Sequence, residues 1–303
     1  MQHTFAFGLI GWPLEHSLSP VIHQAALKAL GINGVYGLYP ISPGSDSQFR
    51  EVLDLMRNEK LDGLNVTIPY KQQIIPQLDF LAPYARATGA VNTIYRRGSQ
   101  LVGDNTDVSG FFKALSDFLE ENPVQSSQQA QPHALILGAG GAARAVAYAL
   151  IKRGWNVTLA ARRLNQAQDL VGALDGLQVT PKGKSVDSCL NAVPLQAQTL
   201  APIVETVSLI VNATPLGMGV NADQSPWPAA TPFPQQAALF DLVYNPAETV
   251  LMLSARASGL MVTNGLAMLV EQAALGFEIW TGQPAPRSAM YAALRSEHGG
   301  QNG

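Results

Sequence analysis

A lysine, a carboxylate and a glycine-rich turn stand in this chain in an order that permits hydride-transfer chemistry. The lysine ends Asn65-Val66-Thr67-Ile68-Pro69-Tyr70-Lys71, the carboxylate ends Gly103-Asp104-Asn105-Thr106-Asp107, and the turn is Gly138-Ala139-Gly140-Gly141-Ala142. Exchanging a hydride with a nicotinamide requires a cradle for the pyrophosphate and a group that moves the alcohol proton. The Lys71 ammonium can give a proton to a developing alkoxide or take one back in the reverse direction. Asp107 would hold the same hydroxyl and keep Lys71 in place. A surface lysine alone means nothing of the kind; the weight comes from Asn65, Thr67, Asn92, Asn105 and Thr106, a dense set of uncharged polar groups on an apolar, strand-rich framework. A polyol requires such partners, because discrimination is largest where buried hydroxyls are recognised. Ser17 and Ser19 can take a substrate carboxylate, although Ser19 has a competing duty as a helix cap.

The glycine turn sits between a strand pattern and a helix pattern, where missing side chains let backbone N–H groups at the helix N-terminus face a pyrophosphate. After the next strand an NAD site has an acid for the ribose 2′-hydroxyl, but Ala161-Arg162-Arg163 stands there instead. Two guanidiniums attract a 2′-phosphate, so NADP is the expected cofactor. Met218 and Met268 can line a nicotinamide pocket, and apolar packing explains each equally well.

The elements that must position these groups follow from pattern. Strands are expected at 5–10, 35–41 and 64–67, helices at about 19–31, with Ser19 as N-cap and Pro20 first inside, and at 46–58, and a hairpin at 91–95 and 100–102. Thr106 or Asp107 is expected to cap a helix running to about 119, followed by a polar, glutamine-rich linker at 120–131. A second unit starts with a strand at 134–137, the glycine turn, a helix to about 153 and a strand at 155–160, a Rossmann-type βαβ start. Strands at 208–212 and 238–242, an irregular loop at 221–236 carrying Pro226, Pro228, Pro232 and Pro234, and an amphipathic helix at 265–280 complete the reading.

At 303 residues the chain has room for two cores. A net charge of −3 gives no polyanion-binding signature, so nucleic acid is not an expected partner. The most apolar stretch, 134–151, is broken by glycines and Arg144 and is not a membrane span. The N-terminus lacks the pattern of an export signal, and a cytoplasmic protein is expected. Cys189, the single cysteine, reads as a small apolar side chain. The histidines and the Asp104/Asp107 pair lack ligand spacing, so no metal is expected.

Taken together, these motifs resemble the shikimate dehydrogenase family from Gly8 to about Gly282. The resemblance is carried by Gly8-Leu9-Ile10-Gly11 with His16-Ser17-Leu18-Ser19-Pro20, the lysine motif, Gly89-Ala90-Val91-Asn92-Thr93, and Asn105-Thr106-Asp107 with Gly110-Phe111. It continues through the glycine turn, Asn212-Ala213-Thr214-Pro215-Leu216-Gly217-Met218, Asp241-Leu242-Val243-Tyr244-Asn245-Pro246, and Gly265-Leu266-Ala267-Met268-Leu269 with Gln272-Ala273-Ala274. The resemblance implies reversible NADPH-dependent reduction of 3-dehydroshikimate to shikimate, on the route to chorismate and the aromatic amino acids. It implies Lys71 and Asp107 as the catalytic pair, Ser17, Ser19, Thr67, Asn92, Tyr244 and Gln272 around the substrate, and Gly138, Ala139, Gly140, Gly141 and Ala142 at the phosphates. Arg162, joined here by Arg163, matches the adenosine-phosphate clamp; Met218, Leu242 and Gly265 match the nicotinamide surroundings. The implied fold is α/β in two domains, 1–110 completed by C-terminal helices at 264–303 that pack back on a mixed sheet, and a Rossmann-type NADP-binding domain at 111–263. Movement of the cleft between them would gate substrate entry. The family commonly has Asn-Arg-Thr where this chain has Ala161-Arg162-Arg163, one amide fewer and one charge more. Two rivals stand beside this reading: a quinate/shikimate dehydrogenase with relaxed cofactor use, against which the intact Ser17-x-Ser19 argues, and a non-catalytic dinucleotide-binding module, against which the Lys71/Asp107 pair argues. Both a monomer and a homodimer are compatible with the sequence.

Overall fold

The computed structural model describes residues 3–121, 131–175 and 190–299. The linker expected at 120–131 lies almost wholly, and Cys189 wholly, outside the described residues. The chain forms two compact units, Met1–Gly110 with Leu269–Gly303, and Phe111–Met268.

The first unit is built on a mixed six-stranded sheet. Its strands are β1 (Phe5–Gly11), β2 (Gly34–Pro40), β3 (Gly63–Val66), β4 (Phe80–Leu81), β5 (Thr93–Arg97) and β6 (Gln100–Asp104), in the order β2-β1-β3-β5-β6-β4. β1 runs parallel to β2 and β3, whereas β5 is antiparallel to β3 and β6. Helices α1 (Ser19–Ala29), α2 (Asp46–Arg57) and α3 (Pro83–Thr88) join them, and α4 (Asp107–Glu121) follows β6. The two-residue β4 and the six-residue α3 are additional to the sequence reading; both are too short to show a period.

Two expected caps are corrected. Ser19 is the first residue of α1 and Leu18 occupies the cap position; the Ser19 amide instead donates to Ser17 Oγ at 3.3 Å. At α4 the capping group is Asn105, whose Oδ1 accepts the Asp107 amide at 3.1 Å, so neither the Thr106 nor the Asp107 side chain is spent on the helix end. A third expectation changes at the strand boundary: the hairpin begins at Thr93, leaving Val91 and Asn92 just ahead of it.

The second unit holds β7 (His133–Leu137), α5 (Gly141–Ile151), β8 (Asn156–Ala161), α6 (Leu164–Asp175), β9 (Leu190–Pro194), the four-residue α7 (Ala197–Leu200), β10 (Leu209–Asn212), β11 (Ala238–Asp241), α8 (Val250–Ala257) and β12 (Met261–Thr263). All pairings in this sheet are parallel, in the order β12-β11-β10-β7-β8-β9. That is the doubly wound dinucleotide-binding order, with the topological switch between β7 and β10. Residues 222–237 contain no helix or strand, and Trp227 is anchored there by its Nε1 donating to the Thr231 carbonyl at 2.9 Å. The four prolines, lacking donors, exclude a strand ladder across that segment.

Helices α9 (Leu266–Thr281) and α10 (Arg287–Gly299) are the last elements among the described residues. In the first unit Trp280 of α9 stacks on Phe7 at 4.8 Å and its indole N–H donates to Ile94 O at 3.0 Å. Gly63 makes that possible, since a Cβ there would collide with the indole. The single-faced amphipathic pattern expected for α9 is corrected: Glu271, off that face, is also buried, because Arg287 of α10 reaches it with Nε at 2.8 Å. α10 itself packs on α1.

Candidate active site

β1 and β3 are parallel, so their C-terminal ends open on the same edge of the sheet, the edge at which α/β folds place ligands. Thr67 follows β3 there, its amide donating to Ile10 O at 2.8 Å, and its methyl packs where a Cβ on Gly11 would stand. Ser17 lies in the loop after β1, with its amide bonded to Leu14 O, and Ser19 is buried at the start of α1. Lys71 is pinned through its carbonyl, which accepts the Val91 amide at 2.7 Å.

These anchors bring the Lys71 ammonium to Asp107 Oδ2 at 2.6 Å, with the two side chains 15% and 5% exposed. Exposure that low makes this a desolvated pair; leaving either partner alone would be costly. The other carboxylate oxygen is held by Asn92 Nδ2 at 2.8 Å, and the same amide nitrogen lies 2.9 Å from Thr106 Oγ1 and 3.2 Å from Gln272 Oε1. Asn92 Oδ1 accepts the Thr106 amide at 2.8 Å, which fixes which way the carboxamide faces. Asn105 is tied to Thr88 Oγ1 and Ala90 O, and Asn65 to Asn92 O. Gly110 lets α4 approach α9: a Cβ there would come within 2.8 Å of the Gln272 backbone nitrogen. Lys71, Asp107, Asn92 and Gln272 therefore form one hydrogen-bonded group, while Thr67, Ser17 and Ser19 stand at the neighbouring strand ends without bonding to it directly. Asp104, next to this group, is pushed above the usual carboxylate range by burial, partly offset by the Asn105 amide. Chemically, the cluster offers an ammonium fixed by a carboxylate and ringed by neutral donors and acceptors, a setting for moving one proton on a polyhydroxylated substrate.

In the second unit the glycine turn leaves β7 at the switch point. Gly138 has φ +107°, a conformation that L side chains rarely adopt, and its amide donates to Ala160 O at 2.8 Å. A Cβ on Gly140 would meet no atom within 4 Å, and no side chain caps the first turn of α5. That open, uncapped helix N-terminus, with Gly141 and Ala142 in its first turn and Ala139 buried beneath, fits a pyrophosphate. Arg162 and Arg163 are exposed in the turn between β8 and α6, where they fit a 2′-phosphate. Leu242 and Gly265 are brought together, since a Cβ on Gly265 would collide with the Leu242 carbonyl. Met218 is 37% exposed ahead of a short 3-10 turn, whereas Met268 is buried, so packing accounts for Met268. Tyr244 is half-buried and its phenol is pushed up by desolvation. Behind these loops a buried Asp241 carboxylate accepts from Asn212 Nδ2 (2.8 Å), Thr249 Oγ1 (2.7 Å) and the Val243 amide (3.0 Å). Burial raises its pKa against those donors.

Residues 9–94 match the profile of the shikimate dehydrogenase substrate binding domain, and residues 265–295 that of the shikimate 5'-dehydrogenase C-terminal domain. Over 296 residues the chain is 40% identical to the shikimate dehydrogenase (NADP(+)) of Salinibacter ruber, an alignment covering 95% of this chain and 96% of that one. This chain belongs to the shikimate dehydrogenase family. A solved shikimate 5-dehydrogenase of the family, from Thermus thermophilus in complex with NADP(H) and shikimate, superposes with a TM-score of 0.80 at 36% identity, over 97% of this chain and 99% of that one. The quinate dehydrogenase of Corynebacterium glutamicum in complex with NAD superposes with a TM-score of 0.81 at 30% identity, over 97% and 99% of the two chains. The shikimate dehydrogenase fold thus accommodates both reaction names.

Two residues of this site escaped the sequence reading. Thr93 was visible only as the last letter of a motif, and Tyr36, on β2, not at all; both are buried and bonded to the asparagines of the cluster. Alternation along β5 could have turned Thr93 inward, but nothing local marks Tyr36.

Proposed function

We propose that this chain reduces 3-dehydroshikimate to shikimate, reversibly and with NADPH, on the route to chorismate and the aromatic amino acids. The Lys71–Asp107 pair inside its carboxamide and hydroxyl cluster carries this reading. Lys71 Nζ gives a proton to the substrate oxygen as it becomes a hydroxyl, and takes one back in the oxidation. Asp107 Oδ2 holds the ammonium and accepts a hydrogen bond from the same hydroxyl. Thr67, Asn92, Gln272 and Tyr244 take the remaining ring hydroxyls, and Ser17 and Ser19 the carboxylate. The amides of Gly138, Ala139, Gly140, Gly141 and Ala142 hold the pyrophosphate, Arg162 and Arg163 the 2′-phosphate, and Met218, Leu242 and Gly265 flank the nicotinamide. NADPH, when bound, supplies the hydride. Such an enzyme works in the cytoplasm.

Quinate oxidation with NAD is the second reading, and the fold likeness to the quinate dehydrogenase favours its consideration. Exposed Arg162 and Arg163, with no carboxylate at 161, weigh against NAD. The deciding experiment follows absorbance of reduced nicotinamide with shikimate or quinate crossed with NADP or NAD. Turnover confined to shikimate with NADP is expected. Comparable turnover of quinate or with NAD moves the chain to the second reading, and none in any combination overturns both.

A further inference from the structure

We infer that the hydroxyls of Tyr36 and Thr93 are positioning groups for the reaction, ordering a one-directional chain of buried hydrogen bonds that ends on the Asp107 carboxylate. The inference rests on the proposed roles of Lys71 and Asp107. Tyr36 OH donates to Asn65 Oδ1 at 2.8 Å. With its oxygen engaged, Asn65 turns its Nδ2 to Asn92 O at 3.1 Å and to Thr93 Oγ1 at 3.2 Å. Thr93, accepting there, gives its single proton to Asn92 Oδ1 at 3.0 Å, the nearer acceptor, Thr106 Oγ1 standing at 3.2 Å. Asn92 then presents Nδ2 to Asp107 Oδ1 at 2.8 Å, while Oδ2 holds Lys71.

Every bond in this chain has a fixed direction. Backbone groups settle the two carboxamides, because Asn92 O can only accept and the Thr106 amide can only donate. A reversed Asn92 would set its carbonyl oxygen against the Asp107 carboxylate. Thr93 is fully buried, Asn65 and Asn92 are 5% and 2% exposed, and no competing water reaches a site so enclosed without cost. Tyr36 is itself braced by the ring of His23, stacked at 4.4 Å and 6°. Both ring nitrogens of His23 are buried, and the ring supports Tyr36 by stacking. Thr93 and Tyr36 act on Asp107 through Asn92.

The test is steady-state kinetics of shikimate oxidation at saturating NADP, with thermal melts to confirm folding. Thr93→Val keeps the shape and removes the hydroxyl, and is expected to lower kcat about tenfold. Thr93→Ser restores the hydroxyl and is expected to stay within about twofold of the parent. Placed in an Asn92→Ala background, Thr93→Val is expected to cost nothing further. Tyr36→Phe, one oxygen smaller and stacked as before, is expected to lower kcat about threefold, and to add little to Thr93→Val. Equal losses from Thr93→Val with and without Asn92, or a Thr93→Ser variant as slow as Thr93→Val, overturn the inference, and full kcat in Tyr36→Phe removes Tyr36 from it. A parent protein that does not oxidise shikimate at all overturns the proposed function instead, so the two failures are distinguishable.

Discussion

At the scale of single residues, the Lys71–Asp107 contact is the most consequential, because the proposed mechanism has one of its atoms move a proton. Lys71→Ala should reduce kcat by about a hundredfold or more, the usual contribution of general acid–base catalysis. A variant that retains most of its rate would remove Lys71 from the chemistry. His23 makes a different statement. It is completely buried, and that burial pulls its pKa from 6.5 to about 3, with Asn65 offsetting only part of the effect. The folded protein therefore keeps the ring neutral where the unfolded chain takes up a proton. The stability it contributes is complete above pH 6.5 and is lost as pH falls from there toward 3, at about 1.4 kcal/mol per pH unit. His23→Phe keeps a stacked ring and removes the titration. Urea unfolding at about pH 6.5 and pH 4.5 should show the parent losing about 2–3 kcal/mol more than the variant. Parallel losses would mean that other groups set the acid sensitivity.

At the scale of elements, sequence pattern was a good guide wherever a segment was long or ended on a distinctive residue. Strand β7 and the glycine turn were legible because an apolar run met glycine at a strand–helix junction, and β1 and β8 were legible as apolar runs. β4, β9, β12, α3 and α8 were not, and α6 went unread. β4, β9 and β12 have only two, five and three residues, and their burial is decided by neighbours that pattern does not identify. α6 did carry a readable signal, Ala167, Leu170 and Leu174, all buried. The caps failed for a physical reason: Ser17 and Asn105 reach over from outside the helices, so the residue at the expected cap position was left for another task. The α4–α9 contact also yields a prediction with opposed terms. Helix propensity alone makes Gly110→Ala stabilising by about 1 kcal/mol. The new methyl, however, would stand 2.8 Å from both the Gln272 backbone nitrogen and its Cβ, and backbone cannot step aside cheaply. Overpacking of this kind costs about 1–3 kcal/mol, so the net expectation is a less stable protein with a raised KM for shikimate, since Gln272 moves with the helix. A Gly110→Ala variant that melts higher with unchanged KM would show that α9 yields freely.

At the scale of the whole molecule, the described residues carry two sheets, each with a core cluster of its own. One is formed around Leu64, Ile74 and Ile94, the other around Leu135, Ile210 and Leu239. Each core sits under a different part of the proposed chemistry, the proton-moving cluster in the first unit and the phosphate cradle in the second. The order of the motifs disclosed this division, and the return of the C-terminal helices, which the family resemblance implied, takes the form of Trp280 of α9 against Phe7 and Ile94 O. A ligand that binds only the folded form of one unit stabilises that unit by RT ln(1 + [L]/Kd), about 2.7 kcal/mol at a hundredfold excess over Kd. NADP+ alone should therefore raise the unfolding temperature of the second unit, and shikimate alone that of the first, in calorimetric scans. Scans in which each ligand shifts only its own transition would mean that the cores unfold independently and that α4 and α9, which run from one unit into the other, transmit little stability. A single transition raised by either ligand would mean that those two helices bind the cores into one cooperative system, and in that case Gly110→Ala should lower the whole transition rather than the first part of it.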